Sequence, residues 1–232
     1  NRLSENGRYS VCIIEAGGSD RRPWIQIPIG YGKTYYQKSV NWMYTTQASP
    51  AMDNRQSYWP RGKVLGGSSS INAMVFVRGN AEDFNEWANA GNSLWSYEQV
   101  LPYFKKLETY QGGADEYRGG NGPLYVSDVS DQLHPLCKNY LRAGEQTGIS
   151  FNPDMNGESQ EGVGLYQINT KNGLRMSAAK AYLHPALKRG NLTLISYAHA
   201  SKVLFDGKTA SAIEFIKGGK TQRIKATKEV IL

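Results

Sequence analysis

The run Tyr9–Glu15 (YSVCIIE) constrains the fold more than any other stretch of the chain. From Val11 to Ile14 it is apolar and mostly β-branched, it ends in an acid, and Gly17 and Gly18 follow. A strand with one wet face alternates apolar and polar residues. A continuous apolar run belongs instead to a central parallel strand buried on both faces. Ahead of it, Asn1-Arg2-Leu3-Ser4 reads as the tail of a helix with Gly7 as its C-terminal cap. Helix tail, turn and buried strand form the second half of a βαβ unit. Inside such a run Cys12 is expected as a buried small hydrophobe. Cys12 and Cys137 do not amount to a disulfide framework, which fits a reducing, cytoplasmic setting.

Downstream, Asn80–Gly91 (NAEDFNEWANAG) has the marks of a short helix: Asn80 to cap it, Glu82 and Asp83 in its first turn, Gly91 to end it. Ser96 and Gln99 form a capping box for a second helix, which Pro102 should break or kink after Leu101. The glycine-rich run Gln111–Pro123 is the expected boundary between subdomains. Apolar residues at helical spacing from Leu133 to Leu141 predict a helix stopped by Gly148, and Ser177–Leu183 predicts another. From Asn191 the pattern turns to strands: Leu192–Ser196, Lys202–Phe205, Ser211–Ile216 and Gln222–Leu232, separated by Asp206-Gly207 and Gly218-Gly219. The class is α/β, a partial Rossmann-like domain with part of an α+β domain.

Charge excludes little. The net charge of +7 comes from scattered Lys and Arg, and the pairs Lys105-Lys106 and Lys188-Arg189 fall near predicted helix ends, where they complement the dipole. A nucleic-acid surface is therefore not expected. Trp59, Trp87, Trp95, Tyr166 and Tyr182 read as core or pocket wall rather than a base-stacking platform. No apolar run reaches the length of a membrane span, and no His, Cys or acid cluster has metal-ligand spacing.

Two places carry chemistry. Glu15 ends the parallel strand, where an acceptor-only carboxylate can take two ribose hydroxyls of a dinucleotide. The run Arg61–Asn72 (RGKVLGGSSSIN) places Gly66 and Gly67 between apolar flanks. Such a loop is held tightly, lets backbone approach a ligand, and can offer an anion nest, with Ser68, Ser69 and Ser70 as further donors.

These segments resemble the glucose-methanol-choline (GMC) family of oxidoreductases. Gly62–Asn85 (GKVLGGSSSINAMVFVRGNAEDFN) is similar to the family's first signature, Val11–Gly18 (VCIIEAGG) to its ribose-binding strand end, and Gly173–Phe215 to later family sequence, most of all that of bacterial choline dehydrogenases. The resemblance implies FAD as cofactor. Glu15 would bind ribose; Val64, Gly66, Gly67, Ser68 and Ser69 would pass along the pyrophosphate and ribityl chain; Asn72, Ala73, Met74 and Val75 would lie beside the flavin; Val203 would hold the adenine by its backbone. Some members attach FAD through a histidine near the position of Ile71, so here the FAD is expected to be non-covalent.

The resemblance further implies oxidation of a small primary alcohol, choline-like, to an aldehyde, with an unassigned electron acceptor. Other chemistry on the same scaffold (oxidase, lyase or photodecarboxylase) and a non-catalytic nucleotide-binding module are the alternatives. The family's catalytic histidine lies near the C terminus of a chain more than twice this length. No catalytic residue is therefore expected here, and His134, His184 and His199 are not assigned as the base. A start without Met and an end, Lys228–Leu232, that reads as mid-strand point to a fragment, inactive by itself. The expected division is an FAD-binding part at 1–110, a substrate or cap region at 111–190, and a strand-rich return to the FAD-binding domain at 191–232. The parent would be cytoplasmic, with peripheral membrane association left open.

Overall fold

A computed structural model describes residues Asn1–Leu232. The chain forms two compact units, one from Asn1–Asn72 with Ser177–Leu232 and one from Ala73–Met176. The chain thus leaves and re-enters the first unit at other places than the 110/111 and 190/191 boundaries expected from composition.

In the first unit, Val11–Ile14 pairs in parallel with Leu192–Ile195, Val11 opposite Leu192 and Ile14 opposite Ile195. The β-branched run does form a parallel strand, but with one neighbour only. Cys12 is exposed, contrary to the expected burial, because the face to which it points is left uncovered. The apolar centre of this unit lies elsewhere, in Ile25, Val40, Val64 and Ile71, each at most 2% exposed.

An antiparallel meander follows: His199–Asp206, Thr209–Lys217 and Lys220–Lys225. Its turns sit where the glycines are, with Gly207, Gly218 and Gly219 at φ +58°, +56° and +74°, conformations that glycine adopts without strain. The last strand stops at Lys225, not Leu232. Its ladder closes at Ala212 opposite Lys225, with Ala226 N–H donating to the Ser211 carbonyl. Beyond it there is no partner strand, and Ile231 and Leu232 are exposed. Ser177–Leu183 is helical as expected, but Ala179–Leu183 is a π-helix running into His184–Ala186. Pro185 offers no N–H to the preceding turn, which favours the wider winding.

In the second unit, Ala81–Asn89 is a helix whose cap Asn80 accepts the Glu82 N–H through its side chain at 2.9 Å. Ser96 caps Tyr97–Leu107 in the same way, accepting from Gln99 N at 3.4 Å. This helix continues through Pro102 instead of ending there. The carbonyl that loses its partner belongs to Glu98, in the first turn, and both Pro102 and Glu98 are exposed, so water can serve that carbonyl. Leu136–Gln146 is the third helix, ended by Gly148 at φ +88°.

The run Gln111–Pro123 is no boundary. It lies inside the second unit and surrounds a buried ion network. Glu108, fully buried, accepts from Arg78 Nη2 at 2.6 Å, Arg118 Nε at 2.9 Å and Gly119 N at 2.8 Å. Arg118, also fully buried, reaches both oxygens of Asp154 at 2.8 and 2.7 Å and stacks over Tyr110. Burial opposes the Arg118 charge, but the bonds and charges of Glu108 and Asp154 win and hold it above its ordinary pKa. The glycines of this run serve closeness: a Cβ on Gly119 would lie 1.9 Å from the Lys105 carbonyl oxygen. Trp59, Trp87, Trp95 and Tyr166 are likewise not core, since each is 51% exposed. Trp87 packs edge-on against Trp95 and Phe84, and Arg61 covers Trp59, so the rings meet one another and a cation at the surface. No helix is long and apolar enough to cross a membrane.

Candidate functional site: an acid loop against a left-handed glycine turn

Glu15 follows the first strand directly, and its N–H donates to the Ile195 carbonyl at 2.9 Å, extending the ladder by one bond. The chain then turns on its own side chain, with Glu15 Oε1 accepting the Gly17 N–H at 2.7 Å. Desolvation pushes the Glu15 carboxyl above the usual range, and the Gly17 bond offsets part of this. Glu15 forms no ion pair. A half-buried, acceptor-only group without a cation beside it suits neutral donors such as hydroxyls.

Two glycines let this acid loop lie against a second one. A Cβ on Gly17 would sit 1.9 Å from the Lys63 carbonyl oxygen. Gly18 bridges to Val64 in parallel, and its carbonyl accepts the Leu65 N–H at 3.0 Å. The second loop then makes two consecutive left-handed steps, Gly66 at φ +88° and Gly67 at φ +57°, which side chains other than glycine's disfavour. Gly67–Ser70 closes as a 3₁₀ turn. On one side Gly66 is tight, its added Cβ falling 3.0 Å from Ala179 Cβ, whereas a Cβ on Gly67 would meet nothing within 4 Å.

The serine hydroxyls, expected as further donors, also hold the loop itself. Ser68 Oγ accepts the Gly62 N–H at 3.1 Å, Ser69 Oγ donates to the Gly66 carbonyl at 2.6 Å, and the buried Ser70 donates to the Leu65 carbonyl at 2.6 Å. A hydroxyl so close to its own main chain satisfies local carbonyls first. Ile71 is buried in the apolar centre.

The structure thus brings together Glu15, Val64, Gly66, Gly67, Ser68 and Ser69. Asn72 ends the first unit, and its N–H donates to the Ser68 carbonyl at 2.9 Å. Ala73, Met74 and Val75 open the second unit. There Met74, 4% exposed, is left-handed at φ +64° and its carbonyl accepts the Asn169 N–H at 2.8 Å, while Val75 pairs with Ile168. Val203 lies on the meander's edge strand, opposite Ile213.

The histidines take non-equivalent places. His134 accepts the Leu136 N–H on its Nδ1 at 3.2 Å, at the start of a helix. The His199 ring lies 5.1 Å from that of Trp42. His184 Nε2 lies 3.0 and 2.9 Å from the two carboxylate oxygens of Asp20, which is 1% exposed. Sequence reasoning missed this pair. Its members stand 164 residues apart, and no local pattern links them.

A strand-end acid packed beside a left-handed glycine turn, in a unit built on a parallel strand pair, is an arrangement of the Rossmann-like α/β class. Comparison with known proteins narrows this. Residues 8–232 match the sequence model described as GMC oxidoreductase, and the chain belongs to the GMC oxidoreductase family. It is 47% identical over 231 residues to an oxygen-dependent choline dehydrogenase of Rhizobium etli, covering 100% of this chain and 42% of that protein. It is 45% identical over 235 residues to an alcohol dehydrogenase [acceptor] of Pseudomonas putida, again 100% of this chain and 42% of the other. Among solved structures, pyridoxine 4-oxidase from Mesorbium loti superposes with a TM-score of 0.91 at 30% identity, over 97% of this chain and 44% of that one. The chain spans under half the length of these relatives.

Proposed function

We propose that this chain supplies the cofactor-binding part of an FAD-dependent oxidoreductase that converts a primary alcohol to an aldehyde. The observation that carries the reading is the packing of the Glu15 loop on the Val64–Gly67 loop, which puts a carboxylate without a counter-ion and a left-handed glycine pair on neighbouring segments. The residues present fit a flavin dinucleotide. Glu15 offers an acceptor without a competing cation, for the ribose hydroxyls. Gly67 leaves free the space a Cβ would fill, where main chain can run close to the pyrophosphate and ribityl chain. Val64, Gly66, Ser68 and Ser69 shape that passage. Asn72, Ala73, Met74 and Val75 would lie beside the flavin, and the open edge at Val203 would receive the adenine.

When bound, the flavin supplies the acceptor for hydride from the alcohol carbon. The chain's own residues bind and orient it. None of the three histidines is proposed as the base: each has a structural partner described above. Attachment is non-covalent, because Ile71 is apolar and buried. Residues 1–72 with 177–232 would form the FAD-binding part, and residues 73–176 would contribute to the substrate side. The names of the relatives favour a small alcohol, with choline first, and unpaired cysteines favour the cytoplasm. The likeness to pyridoxine 4-oxidase favours a second reading, in which oxygen is the electron acceptor and the alcohol is different.

The test uses the full-length protein. It is expected to purify with a flavin absorption spectrum, to release all flavin on denaturation, and to oxidise choline with an artificial acceptor. Protein that neither contains nor takes up FAD would overturn the reading. Flavin that stays with the denatured chain would overturn the non-covalent attachment, and peroxide formed in step with aldehyde would favour the oxidase.

A further inference from the structure

The π-helical segment touches both loops of the proposed site. At its start, Ala178 N–H donates to Ser69 Oγ at 2.9 Å, and Ala179 packs against Gly66. At its end, His184 Nε2 meets both oxygens of Asp20 at 3.0 and 2.9 Å. Asp20 follows Gly17 and Gly18 in the loop that Glu15 begins. Its main chain is held as well, its carbonyl accepting from Gln26 Nε2 at 3.0 Å and from Arg22 N at 2.8 Å. One short helical segment therefore grips the acid loop with one end and the glycine turn with the other.

Neither Asp20 nor His184 makes a contact that the cofactor reading requires. A carboxylate at 1% exposure is costly unless it is hydrogen-bonded. The carboxylate can only accept, so the imidazole carries its proton on Nε2 and donates it, whatever the state of Nδ1. An apolar contact would fill the same space without fixing direction; a bond from one ring nitrogen to two oxygens fixes where the segment's end sits relative to the Glu15 loop. We propose that Asp20 and His184 form a positioning pair that holds the Glu15 loop and the Gly66–Ser69 turn at the separation FAD needs. This rests on the cofactor reading above.

In the full-length holoprotein, Asp20→Ala and His184→Ala should each weaken FAD affinity about tenfold or more, read by titrating apoprotein with FAD and following flavin fluorescence. The double variant should bind no more weakly than either single one, because the two residues act as one contact. Asp20→Asn keeps the volume and an acceptor for the Nε2 proton, and should recover most of the loss. A merely structural role would lower the apoprotein's melting temperature and leave FAD affinity unchanged, and that result, or additive losses in the double variant, would overturn the proposal. Should the alanine variants not fold, Asp20→Leu against Asp20→Asn decides. The two have the same branching and number of heavy atoms, Leu being the bulkier, and only Asn accepts the bond, so equal FAD affinity would sink the pairing. Wild-type protein that binds no FAD would overturn the cofactor reading and the pair's role together; normal wild-type binding with unchanged variants would overturn the pair alone.

Discussion

Two glycine-rich runs, Gly62–Gly67 and Gly112–Gly122, look alike as sequence and behave differently as structure. In the first, Gly66 and Gly67 take consecutive left-handed conformations, and beside Gly67 there is open space. In the second, Gly119 and Gly122 have no room at all, their added Cβ atoms falling 1.9 Å from the Lys105 carbonyl oxygen and 2.2 Å from the Leu107 carbonyl carbon. At Gly67 the first run leaves the space beside its main chain open. The second lets main chain close over the buried Arg118. Glycine content signals either situation, and the immediate neighbours differ: Val64, Leu65 and Ser68–Ser70 stand on either side of the left-handed pair, whereas the second run carries Arg118, which is fully buried.

The comparison can be broken experimentally, most severely at Arg118. Arg118→Ala would leave Glu108, fully buried, with fewer partners and Asp154 without its cation. Breaking a buried pair from one side costs about 3–5 kcal/mol, so denaturant unfolding of the full-length protein should show a loss of that size, with FAD affinity of the folded fraction unchanged. A loss under about 1 kcal/mol, the size of an exposed pair, would mean that the network is not what closes this run.

Gly67→Val should act in the opposite sense. The β-branched residue is forced into a left-handed conformation at a cost of order 1–3 kcal/mol, but its main effect should be loss of bound FAD, since the side chain fills the space left open. Normal flavin content in this variant would remove Gly67 from the site.

Glu15→Gln sharpens the point at smaller scale. Replacing the charged acceptor should weaken FAD about tenfold, a common size for a charge-assisted bond. Its effect on the apoprotein runs the other way. Desolvation raises the Glu15 pKa in the folded state, so the folded protein binds more protons than the unfolded one as pH rises from the unfolded pKa towards the folded one. Stability therefore falls across that window, and the penalty persists at neutral pH. Apo Glu15→Gln should melt slightly higher than wild type at neutral pH, with the gap closing in acid. A gap that widens in acid would contradict the assigned cause.

The smallest effect is expected at Gly113, in the same run as Gly119 but at φ +98° with nothing near its Cβ direction. Gly113→Ala should cost only about 1 kcal/mol, the backbone term alone. A larger loss would mean that the run is close-packed throughout.

Much of the fold could be read locally. Asp206-Gly207 and Gly218-Gly219 make their turns and Asn80 caps its helix, because each depends on neighbours within a few residues; the β-branched run Val11–Ile14 likewise announces a strand, although its parallel partner Leu192–Ile195 is distant. Whatever depends on distant partners could not be read. Cys12 is exposed because of what does not cover it, and Arg118 is buried because Asp154, far along the chain, meets it. The same holds at the site. Glu15 and the glycine pair announce themselves by residue type, but the inward turn of Ser69 and Ser70 does not, and nothing near His184 in sequence points to Asp20.

Met74 carries a consequence for which sequences this position can tolerate. It is buried, it is not glycine, and yet it holds φ at +64°. Such a conformation costs little for glycine or asparagine, more for an unbranched side chain, and most for valine, isoleucine or threonine. Position 74 therefore filters by shape as well as by polarity. In a library randomised at this codon and selected for folded protein, glycine and unbranched apolar residues should survive, while the β-branched residues, equally apolar, should be depleted.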